Sequence, residues 1–407
     1  MSTDWNRRGA ILTGIAATAA AANLAAPASA KARNRPAAAP KGSAGKASSG
    51  PIRLGVLQDV PGAGGMTDPF GQSVQLVVDA ANKAGGAHGR PIELVYRAAA
   101  KGDAGSHDNV ATTAAAWDRL VNEDQVVGII GPSTTPAAIG LAKKIEAARI
   151  PEIHWAGTPL AWGDWYFQYQ AGYFPDEGPL LAYLIARKGH ARVACLRSEG
   201  AYGEAYLGPF VKAARESGVD VVAEIAVPLG TTDVRKYVAD ARAAGADALV
   251  AMGLFGLGVP LSLAIHEQGW DVARYGNLGF SMAASGGETA RKALQGWIAT
   301  DMYDPHNHTL QVMSERYKAR YGALAFPLLP AFGSDMATLM VEGLRRAPEP
   351  TRTGLRAGLE QVRDLPAAGA GAGTRMGFGP HDRLALKGPR VFLLSEVTAE
   401  AVRPYPA

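Results

Sequence analysis

The sequence predicts an α/β protein with two lobes, each a parallel sheet flanked by helices. From residue 52 onward, short runs rich in apolar and β-branched residues alternate with stretches whose apolar positions recur at helical spacing. Strands separated by helices of about 10–15 residues are typical of crossover units, and crossover units build parallel sheets. The alternation occurs in two successive sets, which indicates two lobes.

The predicted elements follow one another with short connections. In the first set, strands and helices alternate at 52–57, 70–84, 92–96, 110–121, 126–130, 136–148 and 150–155. In the second set, helices and strands alternate at 179–188, 193–196, 204–217, 219–227, 234–244, 248–252 and 259–268. Helices at 309–321, 330–346 and 353–362, a Gly/Ala-rich loop at 367–373 and a strand at 391–397 come last. This last segment is consistent with a return to the first lobe, which would leave a ligand cleft between the lobes.

Residues 1–30 have the three-part build of an export signal. Arg7 and Arg8 precede a mildly apolar stretch, and residues 28–30 give a small-x-small cleavage pattern. Paired arginines before such a stretch are typical of the twin-arginine export class, and general secretory export is the alternative. The single cysteine is Cys195, far from the cleavage region, so we expect an exported, soluble protein without a lipid anchor.

The positive charge of the chain lies mainly at its start. Residues 31–50 are rich in Ala, Pro, Gly and Ser, carry five basic residues and predict a flexible linker. The whole chain has 41 Lys and Arg against 37 Asp and Glu. Seven of the basic residues and one acidic residue lie within residues 1–50, which leaves 34 basic and 36 acidic residues in 51–407. The folded part is therefore close to neutral, and nucleic acid is excluded as a partner.

Two Thr-Pro pairs, Thr135-Pro136 and Thr158-Pro159, each follow a predicted strand of the first lobe. Threonine before proline is typical of the N-cap and first position of a helix. Because parallel strands end at one edge of their sheet, the hydroxyls and free N–H groups of both segments would face one point, which suits a carboxylate or similar anion. The alternative is that each threonine only caps its own helix.

Residues 155–174 contain eight aromatic residues. They are Trp155, Trp162, Trp165, Tyr166, Phe167, Tyr169, Tyr173 and Phe174. Such a segment could line a hydrophobic pocket, or it could pack beneath the connection between the lobes.

Signatures of catalysis are absent from the sequence. It has no nucleophile elbow, zinc-protease motif, P-loop or dinucleotide-binding glycine pattern. One cysteine excludes an internal disulfide and a cysteine-based zinc site, and the eight histidines are dispersed apart from a pair in a polar loop at 306–308. We therefore predict no enzyme activity, no cofactor and no metal site.

Several short segments of the mature chain have the order and spacing of a known family. They are 52–56, 84–92, 126–132, 202–203, 232–233 and 387–388. With them, residues 52–397 resemble the leucine/isoleucine/valine-binding family of periplasmic solute-binding proteins of ABC transporters. The resemblance implies a type I periplasmic binding protein fold and a monomeric protein that delivers its ligand to the membrane permease of an importer.

The resemblance also implies a hinge of three strands, with crossings near residues 172, 302 and 388. The first lobe would then comprise 51–172 and 303–388. The second lobe would comprise 173–302 and 389–407.

The resemblance places the ligand-carboxylate site on Thr135, the backbone at Ala156 and Thr158. Phe70 matches an aromatic wall position, and Tyr202 matches a tyrosine near the cleft on the second lobe.

Two positions depart from the family pattern. Leu254, with Phe255 beside it, stands where the second lobe often has an aromatic residue, and Phe280 lies in the stretch 278–281, where an acid usually pairs with the ligand ammonium. We include all three residues among the candidate contacts. The stretch itself has no carboxylate.

A desolvated ammonium needs a charge partner. The missing acid therefore favours an aromatic or branched aliphatic carboxylate as the ligand. The alternative is an amino acid held by another acceptor, such as Glu199, Asp164 or a backbone carbonyl. Two other functions also stay open, a ligand-sensing module for a receptor and a secreted hydrolase.

Overall fold

A computed structural model of the chain describes residues 50–58, 68–100, 107–169, 174–228, 230–253, 256–324 and 326–406, with the backbone alone at 107, 108, 159, 174, 201 and 202. The predicted export signal and nearly all of the predicted linker lie outside these ranges.

The first set of elements forms a parallel sheet. Its strands are β1 (Ile52–Gln58), β2 (Ile92–Ala98), β3 (Gly128–Ile130), β4 (Glu152–His154) and β5 (Tyr166–Gln168). Its helices are α1 (Pro69–Lys83), α2 (His107–Asn122) and α3 (Thr135–Ala148). The strand order is β2-β1-β3-β4-β5, and all pairs are parallel. The prediction of a parallel first sheet is confirmed.

The second set is built in the same way. Its helices are α4 (Phe174–Arg187), α5 (Ala201–Glu216), α6 (Arg235–Ala243), α7 (Gly258–Glu267), α8 (Leu278–Ala284) and α9 (Glu288–Ala293). Its strands are β6 (Arg192–Ser198), β7 (Asp220–Val227), β8 (Ala248–Met252), β9 (Ala273–Gly276) and β10 (Trp297–Asp301). These five strands pair in parallel in the order β10-β9-β8-β6-β7.

The chain then returns to the first sheet. The returning helices are α10 (His308–Tyr321), α11 (Leu328–Arg346) and α12 (Arg352–Leu359). A small antiparallel sheet follows, with β11 (Leu365–Pro366), β12 (Arg375–Met376) and β13 (Leu386–Lys387). The strands β14 (Leu393–Val397) and β15 (Val402–Pro404) extend the second sheet beyond β10 in antiparallel fashion.

Both faces of each sheet are covered by helices. Ile153 and Phe167 lie in the apolar cluster that α1, α11 and α12 complete, whereas Tyr166 lies in the cluster completed by α2 and α3. Successive side chains of a strand point to opposite faces, so the almost continuous apolar runs predict this double covering. In the second sheet, Cys195 packs on the side of α4 and α5, and Leu196 on the side of α6 and α7.

The carboxyl ends of the parallel strands face the other lobe. Strand β10 ends at Asp301, and the next residue, Met302, packs in the core of the first lobe, where its carbonyl accepts from Ala370 N–H at 2.7 Å. Leu278, which follows β9, belongs to the same first-lobe cluster. Likewise β5 ends at Gln168, shortly before the start of α4. Ligands of open α/β sheets bind at these strand ends, so we expect the ligand site there.

Helices α11 and α12 approach each other closely at Gly358. A Cβ at this position would lie 2.0 Å from the carbonyl oxygen of Gly343 and 2.7 Å from the backbone nitrogen of Ala347. We expect Gly358→Ala to lower the free energy of unfolding by about 3 kcal/mol, because backbone atoms cannot move aside as a flexible side chain can. Urea denaturation measures the change.

The matched control is Gly208→Ala on α5, where an added Cβ has no neighbour within 4 Å. We expect this variant to be unchanged or about 0.5–1 kcal/mol more stable, since alanine is the better helix former. Equal stabilities of the two variants would contradict the close approach of α11 and α12.

Candidate functional site

The two Thr-Pro segments lie side by side at the carboxyl edge of the first sheet. Strands β3 and β4 are neighbours, and the segments that follow them are joined by hydrogen bonds. Gly131 N–H donates to the carbonyl of Ile153 at 2.9 Å, and Trp155 N–H donates to the carbonyl of Pro132 at 3.4 Å. The structure therefore brings together the two segments that the sequence predicted to share one site.

Helix α3 begins one residue earlier than predicted. Its N-cap is Thr134, so that Thr135 and Pro136 occupy the first two helical positions. Proline is tolerated in both because the N–H groups of the first turn have no intrahelical acceptor. The Thr135 side chain is buried at the helix start. Thr135 was predicted to be the N-cap, but the N-cap is Thr134. Thr135 does lie in the segment that follows β3, as predicted.

Thr158 caps a single 3-10 turn, Pro159–Ala161, instead of an α-helix. Its Oγ1 accepts from Leu160 N–H at 3.2 Å, and the residue is fully buried. A hydroxyl that accepts one hydrogen bond still has its own proton to donate. Thr158 can therefore cap the turn and donate to a ligand oxygen at the same time.

The Ala156 N–H has an internal acceptor. It donates to Nδ1 of His154 at 3.2 Å, and both residues are buried. Burial lowers the pKa of His154 to about 3, so that the ring is neutral and keeps Nδ1 as an acceptor. Of the three groups predicted to hold a carboxylate, the backbone at Ala156 is thus the one already engaged within the protein.

Aromatic rings surround the same edge. Phe70, in the first turn of α1, stacks on Trp155 with ring centroids 5.8 Å apart. Phe332 of α11 meets Trp155 edge-on at 5.1 Å and lies 5.4 Å from Tyr169. The indole Nε1 of Trp155 is shielded from solvent and has no acceptor among the residues that the structure describes. A buried N–H without an acceptor is unfavourable, so this donor is suited to a ligand oxygen.

Trp155 is a candidate site residue that the sequence did not single out. The available signal was the aromatic density of residues 155–174, of which Trp155 is the first. Tyr166, Phe167 and Tyr169 are core residues, and Trp165 stacks against the Arg356 guanidinium at 5.2 Å. Internal packing, one of the two predicted roles of the segment, therefore holds for these residues.

The candidates on the second lobe are less well placed. Phe280 of α8 is buried and its ring stacks on Trp297 at 4.3 Å, so it serves the core of that lobe. Leu254 and Phe255 lie outside the described residues. Tyr202 lies in the first turn of α5, and its side chain is likewise outside them.

A carboxylate from another element reaches the stretch that lacks one. Glu177 of α4 is fully buried and accepts hydrogen bonds from Leu278 N–H at 2.9 Å, from the Tyr206 hydroxyl at 2.8 Å and from the Thr300 hydroxyl. Burial raises the pKa of Glu177, and the three donors oppose that rise. Because the carboxylate is engaged and enclosed, it holds α4, α8 and β10 together and is not open to a ligand ammonium.

The Gly/Ala-rich loop at 367–373 is fastened to Asp335 of α11. The Asp335 carboxylate accepts from the Tyr169 hydroxyl at 2.6 Å and from the N–H groups of Ala368 and Gly369, both at 2.9 Å. Burial raises the pKa of Asp335 to about 7, and these three hydrogen bonds keep it from rising further.

The same loop contacts the segments near the predicted crossings at residues 302 and 388. Ala370 N–H donates to the carbonyl of Met302, and Gly371 N–H donates to the carbonyl of Arg390 at 2.9 Å. The Asn307 side-chain amide donates to the carbonyls of Ala367, Ala368 and Ala370. Asp335 and the loop thus connect residues close to all three predicted crossings.

No helix in the described ranges is long and apolar enough to cross a membrane. No group of three or more His, Cys, Asp or Glu side chains there could hold a metal ion.

Comparison with known proteins places this architecture. Residues 51–386 match a family model described as "Periplasmic binding protein". The "Leu/Ile/Val-binding protein homolog 7" of Brucella abortus (strain 2308) is 23% identical over 212 residues, which is 49% of this chain and 51% of the relative. The chain therefore spans about half the length of the curated relatives it matches.

Solved structures share the fold at low identity. A periplasmic binding protein type 1 from Bordetella pertussis Tohama I is 19% identical with a TM-score of 0.75, over 88% of this chain and 100% of the other. The leucine-binding protein LivK of Thermotoga maritima MSB8 gives 18% and 0.71, over 87% and 98%. LivJ of Streptococcus pneumoniae, solved in complex with isoleucine, gives 18% and 0.70, over 86% and 97%.

Proposed function

The chain belongs to the periplasmic binding protein family, and from that premise we propose that it captures a small carboxylate outside the cytoplasm and delivers it to the permease of an ABC importer. Proteins of this family and fold bind ligands and are not enzymes. We further propose that the chain is exported by the twin-arginine route, loses residues 1–30 and acts as a soluble monomer in the periplasm without a lipid anchor.

The observation that carries the proposal is the set of donors at the carboxyl edge of the first sheet. Thr135 and Thr158 lie at adjacent strand ends, and the Nε1 donor of Trp155 lies between them in sequence, buried and without an acceptor in the described structure. Phe70 and Phe332 flank the indole and would contact the apolar part of a ligand. Hydroxyl and indole donors beside aromatic rings suit a carboxylate on an apolar body.

Ligand capture would involve both lobes. We assign residues 51–172 and 303–388 to the first lobe, and 173–302 and 389–407 to the second, with hinge bending between them. Tyr202, Leu254 and Phe255 would close over the ligand from the second lobe. Phe280 is left out of the proposed site because its ring is committed to the core.

The proposed ligand is an aromatic or branched aliphatic carboxylate. An α-amino acid would bring an ammonium, and Glu177, the carboxylate at the stretch 278–281, is enclosed by its own three donors. The alternative acceptors Glu199 and Asp164 are exposed. Isoleucine and leucine are the ligands named for the LivJ structure and for a substrate-binding protein of Desulfitobacterium hafniense, so leucine is the proper competitor in a test.

Native mass spectrometry of the mature protein would identify what co-purifies with it, and calorimetry with a panel of aryl and alkyl carboxylates and free amino acids would rank affinities. We expect carboxylates without an ammonium to bind more tightly than leucine or valine. Tight binding of either amino acid would contradict the proposed ligand class but would leave the transport role intact.

The Trp155→Phe variant separates the hydrogen bond from the ring. It keeps aromatic contact with Phe70 and Phe332 but removes the indole N–H, so we expect affinity for the best carboxylate of the panel to fall about tenfold.

The control is Trp165→Phe, in the same aromatic segment but against Arg356. We expect this variant to keep the wild-type affinity. A Trp155→Phe variant that binds as tightly as the wild type would contradict the assignment of Nε1 to the ligand.

A further inference from the structure

Arg197 stands next to last in β6, at the carboxyl edge of the second sheet. Its Nη1 donates to the carbonyl of Ser198 at 3.1 Å. Its Nε is shielded from solvent and finds no acceptor in the part of the chain that the structure describes. No carboxylate of that part forms an ion pair with it, and Glu199, the nearest acid in sequence, is exposed. The Nε donor of this guanidinium is therefore uncommitted within the described residues.

The position of Arg197 puts this donor on the cleft side. Strand β6 is parallel to β8, β9 and β10, and the carboxyl end of β10 leads directly into the first lobe. Arg197, next to last in β6, therefore lies at the edge of the second sheet that faces the first lobe.

A partly buried guanidinium without an anion is unfavourable, because the charge loses hydration that no partner replaces. The planar fork of arginine matches a carboxylate with two parallel hydrogen bonds. Arg192, at the opposite end of β6, shows the contrast, since its guanidinium donates to the carbonyls of Gly245 and Ala244 at 2.9 and 3.0 Å. Of these two side chains, Arg197 is the one with a shielded N–H that has no acceptor in the described structure.

We propose that Arg197 is the second-lobe receptor for a second acidic group of the ligand, so that the transported molecule is a small dicarboxylate with an apolar middle. This inference rests on the proposed function, in which the first lobe holds one carboxylate through Thr135, Thr158 and Trp155. The apolar middle would lie against Phe70 and Trp155. A ligand with two acids and no ammonium also needs no acidic partner in the stretch 278–281.

Calorimetry on the mature protein with matched acids tests the proposal. The probes are benzoate against terephthalate and hexanoate against adipate. We expect at least one dicarboxylate to bind wild type about 30-fold more tightly than its monocarboxylate partner. Arg197→Gln should abolish this preference, because only a dicarboxylate places its second acid on Arg197, whereas Arg197→Lys should keep part of it because the charge remains without the fork.

Arg192→Gln is the matched control and should keep the full preference. Wild type that binds monocarboxylates as tightly as dicarboxylates overturns the role of Arg197 but not the proposed function, and this comparison needs no variant to fold. Equal loss of both acids in Arg197→Gln, with an unchanged thermal midpoint, also overturns it. Absence of binding by all four acids would overturn this inference, whereas the transport role is tested separately by the ligand that co-purifies with the protein.

Discussion

We expect the Asp335→Asn variant to be less stable than the wild type. We also expect its stability to lack one component of the pH dependence that the wild type shows. The aspartate has only donors around it, namely the Tyr169 hydroxyl and the N–H groups of Ala368 and Gly369. An asparagine would turn its own NH₂ group toward some of them. We expect a loss of about 2–3 kcal/mol at neutral pH, the penalty for leaving buried polar groups unsatisfied.

The sign of the pH effect follows from the raised pKa. Burial brings the pKa of Asp335 to about 7 in the folded protein, whereas an aspartate in the unfolded chain titrates near about 4. Between these values the folded protein holds a proton that the unfolded chain has lost, so stability falls as the pH rises and levels off above about 7. The slope is about 1.4 kcal/mol per pH unit, and the full component is about 4 kcal/mol.

The difference between the wild-type and Asp335→Asn curves isolates this component. Burial also raises the pKa of Glu152, Glu177 and Asp301, but these groups act equally in both proteins. Urea denaturation at intervals from pH 4 to pH 8 measures the two curves. Their separation should be largest near pH 4 and shrink as the pH rises to about 7. Parallel curves would show that Asp335 titrates normally.

Two further variants sharpen this test. Asp364→Asn is the control, because the Arg375 guanidinium lowers the pKa of that exposed carboxyl and puts its titration below the range. Tyr169→Phe removes one of the hydrogen bonds that lower the pKa of Asp335. In that variant the fall in stability should extend to higher pH than in the wild type.

Removal of the Glu177 side chain should have the second large effect. Glu177→Ala leaves the Leu278 N–H and the hydroxyls of Tyr206 and Thr300 without their shared acceptor in a fully buried place. We expect a loss of about 3–5 kcal/mol, since an uncompensated buried network is among the largest single-residue effects. Chemical denaturation at neutral pH measures it.

Glu204→Ala provides the control for Glu177→Ala, because Glu204 is an exposed acid in the first turn of α5. A stronger test combines Glu177→Ala with Thr300→Val. Removal of both partners leaves fewer unsatisfied groups, so the double variant should lose clearly less stability than the sum of the single variants. Simple additivity would contradict a direct interaction of the two side chains.

The order of elements was predictable where they are long enough to show a period. The strands at Ile52–Gln58 and Arg192–Ser198 and most of the helices were predicted within a few residues, and the predicted family and type I fold are confirmed. The elements that were missed are all short: strands β5, β9, β10, β11, β12, β13 and β15 and helices α8 and α9. Elements of two to seven residues contain too few repeats for a hydrophobic period to be recognised.

One boundary error concealed a residue that matters. The sequence predicted that a helix begins at Pro179, the usual place for proline, but α4 begins at Phe174 and carries Pro179 inside it. Glu177 lies outside the predicted helix, so the sequence did not predict that its side chain points inward from a helix. The hydrogen bond from the Leu278 N–H to Glu177 depends on the packing of distant segments, which a local sequence pattern does not predict.

The candidate site, too, could be predicted from the sequence only in part. The meeting of the Thr135 and Thr158 segments follows from strand order alone, so the sequence sufficed to predict it. The enclosure of Trp155 by Phe332 did not follow, because Phe332 comes from α11, which only the return of the chain brings to the first sheet. Arg197 was not a candidate either, since the absence of an ion pair can be seen only once its neighbours are placed.

Segments near the end of the chain complete both sheets, which affects when the protein can fold during synthesis. Helices α11 and α12 cover the first sheet, and β14 and β15 extend the second, so neither lobe can be completed before residues far downstream have left the ribosome. Folding that depends on such long-range contacts is slow, and the nascent chain exposes apolar surface meanwhile. Export in the folded state would therefore have to wait for synthesis to reach residue 404 at least, whereas a threaded, unfolded chain could begin to cross the membrane earlier.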